Sequence, residues 1–254
     1  MISPVTLILG LGQTVGSACA HYFHDQGHNV IIVDQNAKNL ARLSDEASDQ
    51  ITTHMGDITS LIGIKNAIVA ARESHGRLDN LVSIPSLPAP EGLGASDLEK
   101  LKSMCFRAAE GAMISLGLFR DVLMDQDPFP YGGNTRIKQK GSVTFILGLA
   151  SRQSMPGEFS ESVSQGAVEA VARAGALELA EENIRVNAIS ALRPRVEEKE
   201  AWLKSRTPLA RTALAEEIAA TAYFLSSPSA AIITGQTLVL DGGRFQLSGL
   251  LGQT

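Results

Sequence analysis

Val5-Thr6-Leu7-Ile8-Leu9-Gly10-Leu11-Gly12-Gln13-Thr14-Val15-Gly16 decides the reading of this chain. Val5 to Leu9 is an unbroken apolar and β-branched run, as expected of a strand covered on both faces. Glycines follow at 10, 12 and 16, and then a helix-periodic stretch over Val15–Gln26. Such glycines let the chain turn tightly and let a pyrophosphate approach the backbone. The helix start beyond them offers N–H donors and a partial positive charge. A glycine trio alone is a weak signal. Here a strand, the turn and a helix come in order, and Asp34 ends the next strand. A carboxylate in that place accepts hydrogen bonds from adenosine ribose hydroxyls and repels a 2′-phosphate. No Arg or Lys is read as lying near Gln13 or Gln35 to favour that phosphate, so the expected cofactor is NAD in preference to NADP.

The same alternation continues outward. Strand-like runs occur at Val5–Leu9, Asn29–Val33, Ile51–Met55, Asp79–Val82, Ser142–Leu147, Arg185–Ile189 and Thr237–Leu240. Helical patterns fill the gaps at Val15–Gln26, Lys38–Ala47, Leu61–His75, Asp97–Met124, Glu161–Glu182 and Glu216–Leu225. This order implies an α/β domain: a doubly wound parallel sheet of the Rossmann type, about seven strands, helices on both faces. One domain is expected over residues 1–254, since no repeat or linker divides the chain. Ser96-Asp97-Leu98-Glu99 matches a capping box and marks the start of the longest helix. The three-proline loop from Ser83 to Pro90 must be extended, and Asp127 to Lys140 reads as a surface loop.

With 44% hydrophobic and 19% charged residues, the chain can bury a sizeable core. A net charge of −5 without a dense Lys/Arg block argues against nucleic acid or an anionic membrane as partner. No run reaches transmembrane length and no leader pattern precedes Val5, so a cytoplasmic location is expected. Two cysteines, Cys19 and Cys105, are too few for a disulfide framework and read as buried thiols. His21, His24 and His28 lack a carboxylate at ligand spacing; they read as a surface cluster, and no metal site is expected.

The chain resembles the short-chain dehydrogenase/reductase family over nearly its whole length. Gly10, Gly12 and Gly16 match that family's turn, with Thr14 at its usual middle glycine. Further matches are Gly56-Asp57-Ile58, Leu78-Asp79-Asn80-Leu81-Val82 and Ile184-Arg185-Val186-Asn187-Ala188-Ile189. The most specific lie late in the chain: Thr207-Pro208-Leu209, Phe224-Leu225-Ser226-Ser227, and Thr234-Gly235-Gln236 through Asp241-Gly242-Gly243. The resemblance implies that Asp57 meets the adenine amino group and that Ile58 and Ser83 lie along the cofactor. It also implies catalysis by Asn, Ser, Tyr and Lys. The matching positions carry Ala108, Gly148, Glu161 and Gln165. Ser83-Ile84-Pro85-Ser86 replaces the usual Asn-Asn-Ala-Gly, and Ala191-Leu192 the usual Pro-Gly. Tyr22, Tyr131 and Tyr223 fall outside the helix concerned, and no Lys occurs between Ser142 and Ala191.

Three functions follow as expectations. The first is an NAD(H)-binding protein that is catalytically impaired or silent, a regulatory subunit or sensor. The second is an NAD-dependent oxidoreductase of carbonyl and alcohol substrates with atypical acid–base groups; Glu161 is the one candidate proton carrier there, since a carboxyl can do such work when burial raises its pKa. The third is an oligomeric scaffold that binds no dinucleotide, favoured by the bulk of Thr14, Pro85 and Ser86. Apolar faces at Ala108, Ala109, Ala112, Met113, Leu116 and Phe119, and at Ala167, Val168, Ala170, Val171, Ala174 and Leu177, together with the segment from Phe245 to Leu251, point to a homo-oligomer, and the resemblance implies a tetramer ahead of a dimer.

Overall fold

A computed structural model describes residues 2–12, 14–46, 51–85, 91–94, 97–130, 139–192 and 205–248. The strands are β1 (Val5–Leu9), β2 (Asn29–Asp34), β3 (Ile51–Met55), β4 (Asn80–Ser83), β5 (Gly141–Gly148), β6 (Ile184–Ala191) and β7 (Thr237–Leu240). All pair in parallel, in the order β3-β2-β1-β4-β5-β6-β7. The helices are α1 (Val15–Asp25), α2 (Ala37–Glu46), α3 (Leu61–His75), α4 (Leu98–Met124), α5 (Phe159–Glu178) and α6 (Ala215–Ser226). This is the expected doubly wound sheet.

Period-two alternation divides the core between the two faces. Val5, Leu7 and Leu9 join Ile64, Ala67, Phe119 and Val168 beneath α3, α4 and α5. Ile8, Val30 and Ile32 join Cys19, Phe23, Leu43, Ile218 and Leu225 beneath α1, α2 and α6. Because both faces are covered, the strands carry almost no exposed polar positions, and this made them legible as unbroken apolar runs. Both cysteines are free and buried, and burial pushes the Cys19 thiol up to about 12.

Four local expectations need correction. The cap of α4 is Asp97 rather than Ser96: its backbone is extended (φ −120°) and its side chain accepts from the Lys100 N–H at 3.0 Å. Ser96 itself lies outside the described residues. α5 stops at Glu178 rather than Glu182: Leu179 caps it, its N–H donating to Gly175 O, and the turn that follows leads into β6 through Asn183, which takes the left-handed conformation (φ 59°). Most of the small-residue face of α4 is used inside the protomer, with Ala108, Ala109, Ala112, Leu116 and Phe119 all buried. Gly175 of α5 permits that contact, since a Cβ there would stand 2.3 Å from Leu116 Cδ2.

The fourth concerns His28, which is not on the surface. It is buried, shares a hydrogen bond of 2.8 Å with Thr6 Oγ1, and meets the Phe23 and Tyr223 rings edge-on. Burial lowers its pKa from 6.5 to about 4, against an opposing field from Asp79. The unfolded chain therefore takes up this proton near pH 6.5, and the folded chain only near 4. The stability is whole above the higher value and is lost as pH falls through that window, by about 3 kcal/mol in all. Urea midpoints at pH 7 and pH 4 should fall less in a His28→Gln chain than in the wild type. Equal declines would contradict the assignment.

Among the described residues, no helix is long and apolar enough to cross a membrane, and no group of three or more His, Cys, Asp or Glu could hold a metal ion.

Candidate active site

The strand order reverses between β1 and β4, and a crevice opens at the carboxyl ends of the strands there, as doubly wound sheets require. A cavity of about 1100 Å³ occupies it. One end is walled by Asp34, Asn36 and Lys38, the middle by Gly10, Gly12, Thr14 and Ile84, and the other end by Gly148, Gln153, Glu158, Glu161 and Arg244.

The glycine turn is built by close approach. Gly10 has φ +95°, and a Cβ there would stand 2.3 Å from Ile84 O at the end of β4. Gly12 also takes positive φ, 49°. Gly16 is not on the cavity wall; it packs α1 onto the turn, where a Cβ would meet Leu11 Cα at 2.6 Å. Thr14 caps α1 without a side-chain hydrogen bond, and no acidic residue stands in the first turn. A helix start with neither a capping side chain nor a carboxylate suits an external anion. Thr14 and Pro85 both line the cavity and leave it open; Ser86 lies outside the described residues, as does the loop from 131 to 138 with Tyr131.

Asp34 ends β2 half-buried. Its Oδ2 accepts from the Leu11 N–H and its Oδ1 from the Asn36 N–H, each at 2.7 Å. The carboxylate is thus fixed at the cavity edge by the turn it serves, and each oxygen has a second lone pair. Lys38, missed in the sequence because it lies a helical turn beyond Asp34, stands on the same wall. Ile58 lines the cavity, whereas Asp57 beside it does not. Asp57 is exposed, and its Oδ1 accepts from the N–H and hydroxyl of Thr59 at 2.9 and 2.7 Å; those bonds hold its carboxyl below the ordinary range. Ser83 is buried in register with Leu9 and Phe145, behind the wall that Ile84 and Pro85 form.

At the far end, α5 begins beside the tip of β5. Glu161, in the first turn of α5, is only 5% exposed and lines the cavity. One helical turn on, Gln165 is fully buried and bridges two elements: its Nε2 donates to Glu161 Oε1, and its Oε1 accepts from the Gly148 N–H, both at 2.6 Å. A Cβ on residue 148 would stand 3.1 Å from that amide oxygen. Gly148, Glu161 and Gln165 therefore form one fitted unit. Ala108 is buried in the core and supplies no polar group. The Tyr22 and Tyr223 rings meet at 5.7 Å, tilted by 53°, between α1 and α6 and are not on the cavity wall.

Arg244 completes this end and was not singled out from sequence. It follows Gly242 and Gly243 in a short 3-10 turn, is 6% exposed, and donates from Nε to Gln153 Oε1 at 2.9 Å. Burial pulls its guanidinium below the ordinary range, the charge of Arg206 adds to this, and Asp241 and Glu158 oppose it. The available clue was an arginine just past a strand's carboxyl end, where doubly wound sheets keep their sites.

A family profile described as enoyl-(acyl carrier protein) reductase matches residues 10–119 and 131–244. The chain is 28% identical to the 3-oxoacyl-(acyl-carrier-protein) reductase of Thermotoga maritima, over 94% of this chain and 96% of that one. It is 27% identical to the D-threitol dehydrogenase of Mycolicibacterium smegmatis, covering 94% and 92%. Among solved structures, the 3-ketoacyl-(acyl-carrier-protein) reductase of Brucella melitensis complexed with NADH superposes with a TM-score of 0.83 at 23% identity, covering 96% of this chain and 99% of that one.

Proposed function

Since this chain belongs to the short-chain dehydrogenase/reductase family, we propose that it is an NAD(H)-dependent oxidoreductase of carbonyl and alcohol substrates in which Glu161 carries the proton. The relatives named above are reductases and dehydrogenases, which sets this reading ahead of a silent dinucleotide binder and of a scaffold. The observation that carries it is the buried Glu161 carboxyl on the cavity wall, clamped by Gln165 against β5.

The residues present fit a dinucleotide. The turn at Gly10 and Gly12 and the start of α1 would hold its pyrophosphate, and Asp34 would hold the adenosine ribose. Gly16, Asp57 and Ser83 would act from behind the wall, by holding the turn and the ends of β3 and β4. When bound, the dinucleotide exchanges a hydride with the substrate carbon. Glu161 gives a proton to the carbonyl oxygen in reduction and takes it from the hydroxyl in oxidation. To do so the carboxyl must carry the proton when the carbonyl oxygen reaches it. Gln165 is a positioning residue: its amide fixes one oxygen of Glu161 and leaves the acid oriented without adding charge.

Two measurements test the reading at its edges. Asp34 favours NAD(H), whereas Lys38 on the same wall would attract a 2′-phosphate. The bidentate hold on Asp34 by backbone amides makes its charge the fixed one, so calorimetry should show NADH binding more tightly than NADPH. Asp34→Ala should narrow or reverse that order, and tighter NADPH binding by the wild type would contradict the assignment. Phe106 and Met113 on α4 and Leu177 on α5 are 56%, 56% and 77% exposed. Apolar side chains so placed on adjacent helices support a twofold contact between copies, and the reading includes a homo-oligomer, a tetramer ahead of a dimer. Light scattering at micromolar concentration should give a multiple of the protomer mass; a monomer would contradict it.

A further inference from the structure

Gly148 carries the clamp on Glu161, and it has no side chain to hold it in place. A Cβ there would stand 3.1 Å from the Gln165 amide oxygen and press on the contact that Gln165 makes. Glycine fits, but glycine has the widest backbone freedom of any residue. Gly148 also forms the last pair of the β5–β6 ladder, opposite Ala191, and the chain leaves the sheet in the short turn Leu149–Ser151. Its N–H is bonded to Gln165 Oε1. Unless its carbonyl is fixed as well, that N–H can drift, and Gln165 and Glu161 with it.

Two serine hydroxyls meet at the Gly148 carbonyl oxygen. Ser151 Oγ donates to it at 3.1 Å, and Ser190 Oγ, from β6, at 3.2 Å. The hydroxyls also contact each other at 3.1 Å. Ser190 is fully buried, so its hydroxyl is costly in that strand unless bonded. Each hydroxyl has a single hydrogen. Either both donate to Gly148 O, or one donates to it and accepts from the other. The carbonyl is bonded in each arrangement, and removal of one serine leaves the second able to bond it. Neither serine lines the cavity, whereas their neighbours Leu149, Ala150, Ala191 and Leu192 do. The pair therefore acts from behind the wall.

Resting on the oxidoreductase reading, we propose that Ser151 and Ser190 are a mutually redundant pair of positioning residues for the proton-carrying Glu161. The line runs from the two hydroxyls to Gly148 O, from Gly148 N–H to Gln165 Oε1, and from Gln165 Nε2 to Glu161 Oε1. It ties α5 to β5, to the turn after β5 and to β6, so the place of the acid is not set by its own helix alone. Redundancy has a signature: loss of both hydroxyls costs more than the two single losses combined.

The test compares Ser151→Ala, Ser190→Ala and the double variant in the intact protein. The first readout needs no turnover. Hydrogen exchange of the Gly148 amide is followed by NMR against the Ser142 amide, which bonds to Asp79 O at the other end of β5. Each single change should speed Gly148 exchange about threefold and the double change about thirtyfold or more, with Ser142 altered less than about twofold. Ser151→Thr keeps the hydroxyl, so Ser151→Thr with Ser190→Ala should match Ser190→Ala alone. The second readout is catalytic. The double change should lower kcat with NADH about thirtyfold or more while NADH affinity stays within about twofold, and it should alter the residual rate of Glu161→Gln by less than about twofold. Additive losses, equal acceleration at Ser142, or an equal slowing of the Glu161→Gln chain would overturn the proposal. If the double variant does not fold, the single variants decide: exchange at Gly148 that rises no more than at Ser142 contradicts it. Selective loss of Gly148 protection in a protein whose wild type oxidises no NADH would support the hydroxyl pair and remove the oxidoreductase reading. Glu161-dependent turnover that the double change leaves intact would do the reverse.

Discussion

Replacing Glu161 by glutamine should lower kcat for carbonyl reduction by about 10²–10⁴-fold, the usual contribution of a general acid, while NADH affinity stays within a factor of two. The amide can still meet Gln165 at the position of Oε1, so the fold of the site is kept and only the transferable proton is lost. The pH profile gives an independent check. Only the protonated carboxyl can deliver a proton, so reduction by the wild type should fall as pH rises through the pKa of that acid, and oxidation should rise. The residual rate of Glu161→Gln should lack that limb. A glutamine variant with unchanged kcat would assign proton transfer to water or another group.

Gly10→Ala should produce the largest structural loss. Two penalties coincide there: a left-handed φ of +95°, and a Cβ position 2.3 Å from the Ile84 carbonyl oxygen. A left-handed residue costs about 1–2 kcal/mol and an overpacked one about 1–3 kcal/mol. The neighbouring backbone cannot yield cheaply, because Ile84 N–H donates to Leu9 O at 2.7 Å and Gly10 N–H to Val33 O at 2.8 Å. We expect a loss of about 3 kcal/mol or more and no measurable NADH binding. Gly27→Ala is the control. It has a similar φ, +83°, but nothing within 4 Å, so it should cost only the backbone strain and leave NADH binding intact. Equal losses in both chains would mean that the turn at Gly10 is not a close approach of β1 to β4.

Features set by short-range physics could be read from the chain, and features set by distant elements could not. The β1–turn–α1 unit is legible because its apolar run, glycines and helix are contiguous. The unit of Gly148, Glu161 and Gln165 is half legible. The four-residue spacing on α5 puts the two side chains on one face, but the third member sits on another strand, and burial of Glu161 follows from where β5 ends. His28 looks like a surface residue beside Gly27 and Asn29; its partner rings include Tyr223, which arrives with α6. Lys38 and Arg244 enter the site by turns beyond the motifs that precede them. For α4 the boundary hung on two adjacent residues that both cap well, Ser96 and Asp97, and an extended backbone at Asp97 decides between them.

If this cavity reduces carbonyl compounds with Glu161 as the acid, a label on NADH must pass to the product. The protein is incubated with NADH carrying deuterium at the reactive ring position and a panel of ketones, aldehydes and oxo acids, and the products are read by mass spectrometry. One deuterium is expected on the carbinol carbon of at least one product with the wild type, and none above background with Glu161→Gln. NADH that binds the wild type while no product carries the label would contradict it and leave a protein that holds the dinucleotide without using it.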